Sequence, residues 1–160
     1  MTAGATFGAV SLKDLQALLD ASRESASSFT RSLEGDDRTA PQVAELVNTA
    51  RTVTVAVVRA NGLPHAAPVI GGCVDGEIHV TISPGSVLAN CLRRSPEVAI
   101  TVADPVHTLI GAGTADNLGR PSELGDLCAR LDGASPFGRF APEGWDGLIF
   151  RLDLRRLLAF

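Results

Sequence analysis

The stretch VTVAVVRANGLPHAAPV at residues 53–69, followed by DGEIHVTISPGS at residues 75–86, decides the fold of this chain. Val53, Val55 and Val57 alternate with residues that are smaller or more polar. This period of two is typical of a strand with one buried face. The first stretch is therefore predicted to begin a β-sheet.

Two dipeptides in these stretches are strong signals for tight hairpin turns. Asn61-Gly62 separates the first strand from a returning strand over residues 65–73, and Asp75-Gly76 follows that strand. Ile78, Val80 and Ile82 then alternate with polar residues, with the period of a third strand. Three consecutive antiparallel strands follow from local chemistry alone.

The rest of the chain continues the pattern of short strands separated by turns and short helices. Helices are predicted over residues 41–49, over 86–94 and from the turn at 117–121 through about 131, and strands over 97–103, 106–115 and 148–154. Six strands in this order favour a mainly β fold, a six-stranded antiparallel barrel with flanking helices, over a parallel α/β fold.

An amphipathic helix is predicted ahead of the barrel, over residues 11–33. Its apolar or small residues are spaced by three and four: Leu12, Leu15, Leu19, Ser22, Ala26, Phe29 and Leu33. Ser11 can cap the start of the helix and Gly35 can end it. We therefore divide the chain into an N-terminal helical extension, residues 1–40, and a barrel domain, residues 41–160.

Composition excludes several classes of protein. Apolar residues make up 45% of the 160-residue chain and charged residues 20%, which fits a globular protein with a real core. The net charge of −4, without a positive stripe, argues against nucleic acid as a partner. No run of about 18 apolar residues and no signal peptide pattern occurs, so a cytoplasmic protein without a membrane partner is expected.

Cysteine and histidine positions argue against a metal site. Cys73, Cys91 and Cys128 are far apart and lack the spacing of zinc ligands, so they are expected to be buried thiols. His65, His79 and His107 are predicted on different strands, with no carboxylate or cysteine nearby in metal-ligand spacing.

The order of segments from Val43 to Phe160 resembles the flavin-binding split β-barrel of the pyridoxamine 5′-phosphate oxidase type. Four stretches carry the resemblance: residues 53–69, 75–86, LANCLRRSPEVAITV at 88–102 and IFRLDLRRLLAF at 149–160. The resemblance implies a homodimer, FMN or the deazaflavin F420 as cofactor, and hydride exchange with a small organic substrate. The arginine-rich composition keeps F420 open beside FMN, because many actinobacterial members of that family use it.

The resemblance also implies a set of cofactor-binding positions. They are Arg59, His65, Ala67, Pro68, Val69, Thr81, Ile82, Ser83, Ser86, Val87, Leu88 and Asn90. Within this set, hydroxyl groups and the first amides of the helix after Gly85 are suited to holding a phosphate. No catalytic acid or base is assigned.

The chain departs from the family pattern at the positions that hold the cofactor phosphate. In that family an Arg-Lys pair, or at least a Lys, commonly follows the serine that corresponds to Ser86 and holds the phosphate. This chain has Val87 and Leu88 at those positions. Arg59 could compensate from the neighbouring strand. The departure leaves two alternatives, a flavin-dependent oxidoreductase or a split-barrel binding module that no longer uses flavin.

Overall fold

The computed structural model describes residues 11–33 and 38–160, in which six strands form one closed antiparallel barrel. The strands are β1 Thr52–Val58, β2 Pro64–Val74, β3 Glu77–Ile82, β4 Glu97–Ala103, β5 Thr108–Gly119 and β6 Leu148–Ala159. The helices are α1 Leu12–Glu24, α2 Ser28–Ser32, α3 Ala40–Ala50, α4 Val87–Arg94 and α5 Gly125–Ala134, with a 3₁₀ turn at Pro121–Glu123. Around the barrel the strand order is β1-β2-β3-β6-β5-β4, which confirms the predicted fold class.

The hairpins and the barrel interior form as the sequence predicts. Asp75 and Gly76 both have positive φ, 52° and 80°, as the tight two-residue turn between β2 and β3 requires. Inward-facing side chains from the strands make one buried cluster that includes Val53, Val55, Val57, Ile78, Val80, Ile82, Val98, Ile100, Val102 and Leu109. This interior is filled by side chains and leaves ligand sites to the rim of the barrel.

The predicted helix over residues 11–33 is interrupted. Ser11 does cap α1, accepting from the Asp14 amide, but α1 ends at Glu24 and Ser27 caps the separate helix α2. Serine side chains that bond nearby backbone amides compete with continued helix. Phe29 and Leu33 lie 70% and 56% exposed, so the predicted apolar face ends at Ala26. The predicted stop at Gly35 lies outside the described residues.

Two strands are longer than predicted. β5 runs on to Gly119 through residues that read as a turn, and β6 runs on to Ala159. Their mutual pairing extends over nearly their whole length, with irregularities after Ala112 and after Asn117 that absorb the turn-like residues. The helix predicted to follow residues 117–121 begins with the 3₁₀ turn at Pro121–Glu123 and continues as α5 to Ala134, beyond the predicted end near residue 131.

The third strand is buried on both faces, which its alternating sequence does not predict. α5 and the segment after it cover the outer side of the barrel through a second apolar cluster of Leu131, Phe140 and Ile149. His79, predicted on the polar side of β3, is therefore only 1% exposed. No helix within residues 11–33 and 38–160 is long and apolar enough to span a bilayer.

Helix α1 docks on the barrel through a buried hydrogen bond as well as apolar contacts. Leu15 and Leu19 join the barrel cluster, and the Leu157 amide of β6 donates to Ser22 Oγ at 2.9 Å. Both Ser22 and Leu157 are buried. The extension is thus packed on β6, and the division of the chain into an extension and a barrel domain stays a prediction.

Replacing Ser22 with alanine should lower the free energy of unfolding by about 1–3 kcal/mol, because the buried Leu157 amide loses its acceptor. Chemical denaturation measures the change. Ser32→Ala, on an exposed side chain of α2, is the control and should stay within about 0.5 kcal/mol of the natural protein. Equal small effects of the two substitutions would show that the Ser22 bond does not hold α1 in place.

Candidate functional site

The barrel is split where β2 and β3 separate. Their pairing ends at Gly71 opposite Val80, and beyond this point β2 pairs only with β1 while β3 pairs only with β6. At the start of the split, Thr81 Oγ1 donates to the Ile70 carbonyl at 3.4 Å. A cleft opens beyond this bond.

The edge of β2 offers free backbone groups to this cleft. The Gly71 amide donates to the Arg51 carbonyl and the Leu63 carbonyl accepts from Arg59, so odd-numbered residues of β2 bond toward β1. Since strand backbone direction alternates, the even-numbered residues 64–70 direct their amides and carbonyls toward the split. Pro64 and Pro68 lie at such positions, where a missing amide costs no ladder hydrogen bond.

The cleft has a volume of about 350 Å³ and brings together ten of the twelve predicted site residues. Those ten are His65, Ala67, Pro68, Val69, Thr81, Ile82, Ser83, Ser86, Val87 and Leu88. They come from β2, the end of β3 and the start of α4, which the two hairpins bring side by side. Ile70 and Trp145 complete the lining.

One end of the cleft carries donors suited to an anion. Ser86 caps α4 by accepting from the Ala89 amide at 3.1 Å, which leaves its hydroxyl proton free to donate. The amides of Val87 and Leu88 are the first two of the helix and have no acceptor within it. Thr81, predicted in the same role, already donates to Ile70, so Ser83 and Ser86 are the better hydroxyl donors.

The lining of the cleft carries no formally charged side chain, His65 being its one titratable group. Val87, at the first position of α4, is 39% exposed, and Leu88 is 2% exposed and belongs to the barrel core. An arginine would therefore be accommodated at position 87, whereas a lysine at position 88 would bury a charge.

Arg59 does not line the cleft but contacts a residue that does. Its guanidinium lies 3.0 Å from His65 Nδ1. Because a guanidinium can only donate, Nδ1 is the acceptor and Nε2 carries the imidazole proton. His65 can thus offer an N–H donor to a ligand.

Asn90 lies outside the cleft, contrary to the sequence expectation. It is exposed on α4, and its side-chain oxygen accepts from Arg93. Helix geometry explains the result, since position 90 faces away from the barrel while Leu88 and Cys91 face into it. Asn90 lines a neighbouring pocket instead.

Trp145, the one tryptophan of the chain, is a cleft residue that the sequence analysis did not identify. It lies just before β6, on a segment held to the barrel by the buried ring of Phe140, whose amide donates to Asp132. The Trp145 ring lies against Gly147, where any Cβ would collide with it. The Arg120–Asp146 ion pair, at 2.6 Å, fixes the same segment on its exposed side.

The remaining histidines and the cysteines lie outside the cleft. Residues 11–33 and 38–160 contain no cluster of His, Cys, Asp and Glu suited to a metal ion. His107 lies in the turn before β5 rather than on a strand and pairs with Asp104 at 2.9 Å. Cys73 and Cys91 are buried free thiols as expected, and Cys128 is half-buried.

Solved structures with the same fold come from several functional groups. A conserved hypothetical protein from Mycobacterium tuberculosis has a TM-score of 0.63 and 23% identity over 77% of this chain and 84% of its own. An F420 reductase has a TM-score of 0.53 and 19% identity over 70% of this chain and 92% of its own. A Listeria innocua protein named after pyridoxamine 5′-phosphate oxidase has a TM-score of 0.55 and 12% identity over 73% of this chain and 94% of its own.

These similarities show that the chain has the split-barrel fold of pyridoxamine 5′-phosphate oxidase-like proteins, as expected from the sequence. Some similar structures are longer, and the chain spans 58% of a protein of unknown function from Agrobacterium tumefaciens and 51% of a heme-binding protein from Mycobacterium smegmatis. No protein-family model matches the chain, and no curated protein is significantly similar to it in sequence.

Proposed function

We propose that the protein is a flavin-dependent oxidoreductase that binds FMN, or the deazaflavin F420, in the cleft between β2 and β3. The observation that carries the proposal is the split itself, because a free strand edge lies there beside an uncharged lining and the first amides of a helix. Such a site suits a planar ring with polar edges and a phosphate at one end.

Each part of the cleft has a defined task in this proposal. The edge of β2 at Pro68 and Ile70 holds the polar side of the ring, while Ile82 and Trp145 supply apolar contact and exclude water. Ser83, Ser86 and the first amides of α4 hold the phosphate. The bound flavin supplies hydride transfer, and the protein orients the ring and shapes the pocket for a small organic substrate.

Two named neighbours support the choice of cofactors. One is an F420 reductase, and the other is named after pyridoxamine 5′-phosphate oxidase. The cleft geometry agrees with either ring, since backbone edges and apolar side chains line it without a charge that selects one of them.

Trp145 provides a direct test. It is the one tryptophan of a chain without tyrosine, and it lines the cleft, so its fluorescence reports on the cleft alone. We expect FMN, riboflavin or F420 to quench this fluorescence in a saturable way below about 100 μM, a limit that still detects weak binding. Absence of quenching and of any rise in melting temperature with all three would refute the proposal.

The alternative function is a split-barrel binding module that does not use flavin. The specific observation in its favour is the phosphate end of the cleft, where Val87 and Leu88 provide no cation. A charge-assisted hydrogen bond contributes about 1.5–3 kcal/mol, so their absence weakens phosphate binding substantially. A colourless protein that binds none of the three ring ligands would favour this alternative.

We also propose that the protein works as a homodimer. An outward face of β2, β1, β4 and β5 carries two cross-strand rows without a charge: Pro68, Thr54, Thr101 and Ile110, and Ala66, Ala56, Ala99 and Ala112. No helix covers these mostly exposed residues within the described chain, and the face adjoins the strand that lines the cleft. A flat face of small apolar residues suits a self-complementary two-fold interface.

Ala99→Glu should break this dimer, because two-fold symmetry places a carboxylate from each subunit in the interface. Light scattering at micromolar concentration should give about twice the chain mass of 16.6 kDa for the natural protein and a single chain for the variant. Ala21→Glu, on an exposed position of α1, is the matched control and should remain a dimer. A natural protein that measures as one chain would refute the proposal.

The three free cysteines agree with a reducing compartment, and we propose that the protein is located in the cytoplasm.

A further inference from the structure

A second pocket adjoins the cleft on the other side of Val87. It has a volume of about 180 Å³ and is lined by Ala60, Val87, Asn90, Cys91 and Arg94. We refer to it as the arginine pocket. Because Val87 lines both spaces, a ligand that fills the cleft can extend past this side chain into the arginine pocket.

Arg94 lines this pocket, and two further arginines are next to lining residues: Arg93 bonds to Asn90, and Arg59 precedes Ala60. Each of the three arginines bonds only to neutral acceptors. Arg94 donates to the Val58 carbonyl at 2.6 Å, and Arg93 donates to the Pro84 carbonyl at 3.3 Å. Arg93 also donates to Asn90, and Arg59 donates to His65. Within the described part of the chain, none of the three has a carboxylate partner.

Most of the other arginines of the barrel region pair with acidic side chains. Five of them pair with Asp or Glu: Arg120, Arg130, Arg139, Arg151 and Arg155. Within residues 41–160, three of the five arginines without a carboxylate partner are therefore in or next to this pocket, while Arg51 lies over Phe137 and Arg156 is exposed on β6. A local field of one sign attracts a ligand of the opposite charge.

The contacts that exist also orient the donors. The bond to the Val58 carbonyl holds the Arg94 guanidinium against the β1–β2 hairpin and uses one of its five N–H donors. Asn90 accepts from Arg93 through its oxygen, which leaves its amide nitrogen as a donor. A carboxylate or a phosphate matches this set, because both accept several N–H donors at once.

We propose that the arginine pocket binds a second anionic group, a carboxylate or a phosphate, beyond the group held at the start of α4. This inference rests on the proposed use of the cleft by a flavin-type ring. The anion belongs either to an extended tail of the cofactor or to a separate anionic substrate, and the two sources share the chemistry that the pocket recognises.

The test compares the natural protein with Arg94→Gln, Arg94→Lys and Arg156→Gln, using Trp145 fluorescence. Arg156 is an exposed arginine of β6 and provides a control with the same loss of charge. The probes are three ligands with similar tricyclic rings. Riboflavin carries no anionic group, FMN carries one phosphate, and F420 carries a phosphate with further carboxylates. Arg94→Gln should weaken F420 at least fivefold and leave riboflavin and FMN within about twofold, because only F420 extends a second anion. Arg94→Lys should recover most of the loss, and Arg156→Gln should change nothing.

A second arm distinguishes the two sources of the anion. Protein saturated with FMN is titrated with inorganic pyrophosphate and with citrate at constant ionic strength, and the flavin absorbance is followed. A saturable change that Arg94→Gln abolishes would assign the pocket to a separate substrate. Equal affinities of natural protein and Arg94→Gln for F420, together with no such change, would overturn the inference.

Failure of the proposed function gives a different result. If none of the three ring ligands binds, the proposed use of the cleft is wrong. The arginine pocket is then tested on the ligand-free protein, by measuring the melting temperature with and without pyrophosphate. A rise in melting temperature that is lost in Arg94→Gln and retained in Arg156→Gln supports the pocket on its own. If the melting temperature rises in none of the proteins, the pocket proposal is refuted.

Arg93 and Arg94 also lie in the last turn of α4, where positive charge stabilises a helix. If Arg94 had a purely structural role, Arg94→Gln would lower the stability of the protein without changing these affinities.

Discussion

Replacing Val87 with arginine should tighten FMN binding at least tenfold. Val87 is the first residue of α4, is 39% exposed and lines the cleft beside the free amides of the helix. An arginine there would add a charge-assisted, bidentate contact to the phosphate. One such contact contributes about 1.5–3 kcal/mol, which corresponds to roughly a 10- to 100-fold change in the dissociation constant.

Riboflavin separates this effect from a general change in the cleft. It has the same ring without the phosphate, so its affinity should change less than about twofold in Val87→Arg. Trp145 quenching at fixed ionic strength measures both ligands, and the FMN affinity of the variant should fall more steeply with added salt. Equal gains for riboflavin and FMN would show that the new side chain contacts the ring and that the phosphate lies elsewhere.

Val106→Arg is the matched control for added charge. Val106 is 78% exposed in the turn before β5 and does not line the cleft. An equal gain in this variant would attribute the effect to net charge alone. Leu88 is left unchanged because it is 2% exposed, and a lysine there would bury a charge.

The family resemblance supplied most of the cleft residues, and local chemistry explains why they meet. The turns at Asn61-Gly62 and Asp75-Gly76 bring three strands side by side, and Ser86 starts the helix that follows them. Residues 65–69, 81–83 and 86–88 meet because they are neighbours in a continuous run of hairpins. Sequence reasoning works here because each turn fixes the register of the strands that it joins.

Features that depend on distant parts of the chain were not predictable in the same way. The split arises because the end of β3 pairs with β6, about 70 residues further on, and no local signal specifies that register. Trp145 reaches the cleft only because Phe140 and Gly147 fix the segment before β6. An isolated tryptophan in a stretch rich in glycine and proline was the one available signal.

His79 should make the protein less stable as the pH falls below 6.5. Its side chain is 1% exposed on β3, and its Nδ1 atom has no hydrogen-bond partner within the described residues. The pKa of His79 is lowered from 6.5 to about 4, mainly by burial. A hydrogen bond with the Glu77 backbone opposes this shift, and the positive charges of Arg151 and Arg130 add to it. The folded protein therefore resists protonation of this imidazole.

The sign of the effect follows from proton linkage. Between pH 6.5 and 4 the unfolded chain binds a proton at His79 that the folded chain does not, so stability is complete above pH 6.5 and is lost as the pH falls toward 4. The slope approaches about 1.4 kcal/mol per pH unit, and the loss at pH 4.5 is about 2 kcal/mol relative to pH 7. Urea denaturation at half-unit intervals from pH 7.5 to about 4.5 follows this loss, and histidine variants separate it from the carboxylates that begin to titrate near the lower limit.

His79→Gln removes the titrating group and keeps a polar side chain of similar size. Whatever its stability at pH 7, the variant should lose the slope between pH 6.5 and 4.5, because no buried imidazole remains to bind a proton on unfolding. His107→Gln is the matched control. His107 is partly exposed at 27% and pairs with Asp104, and this variant retains His79 and should retain the slope. A slope that persists in His79→Gln and disappears in His107→Gln would assign the pH dependence to the turn before β5 instead of the buried face of β3.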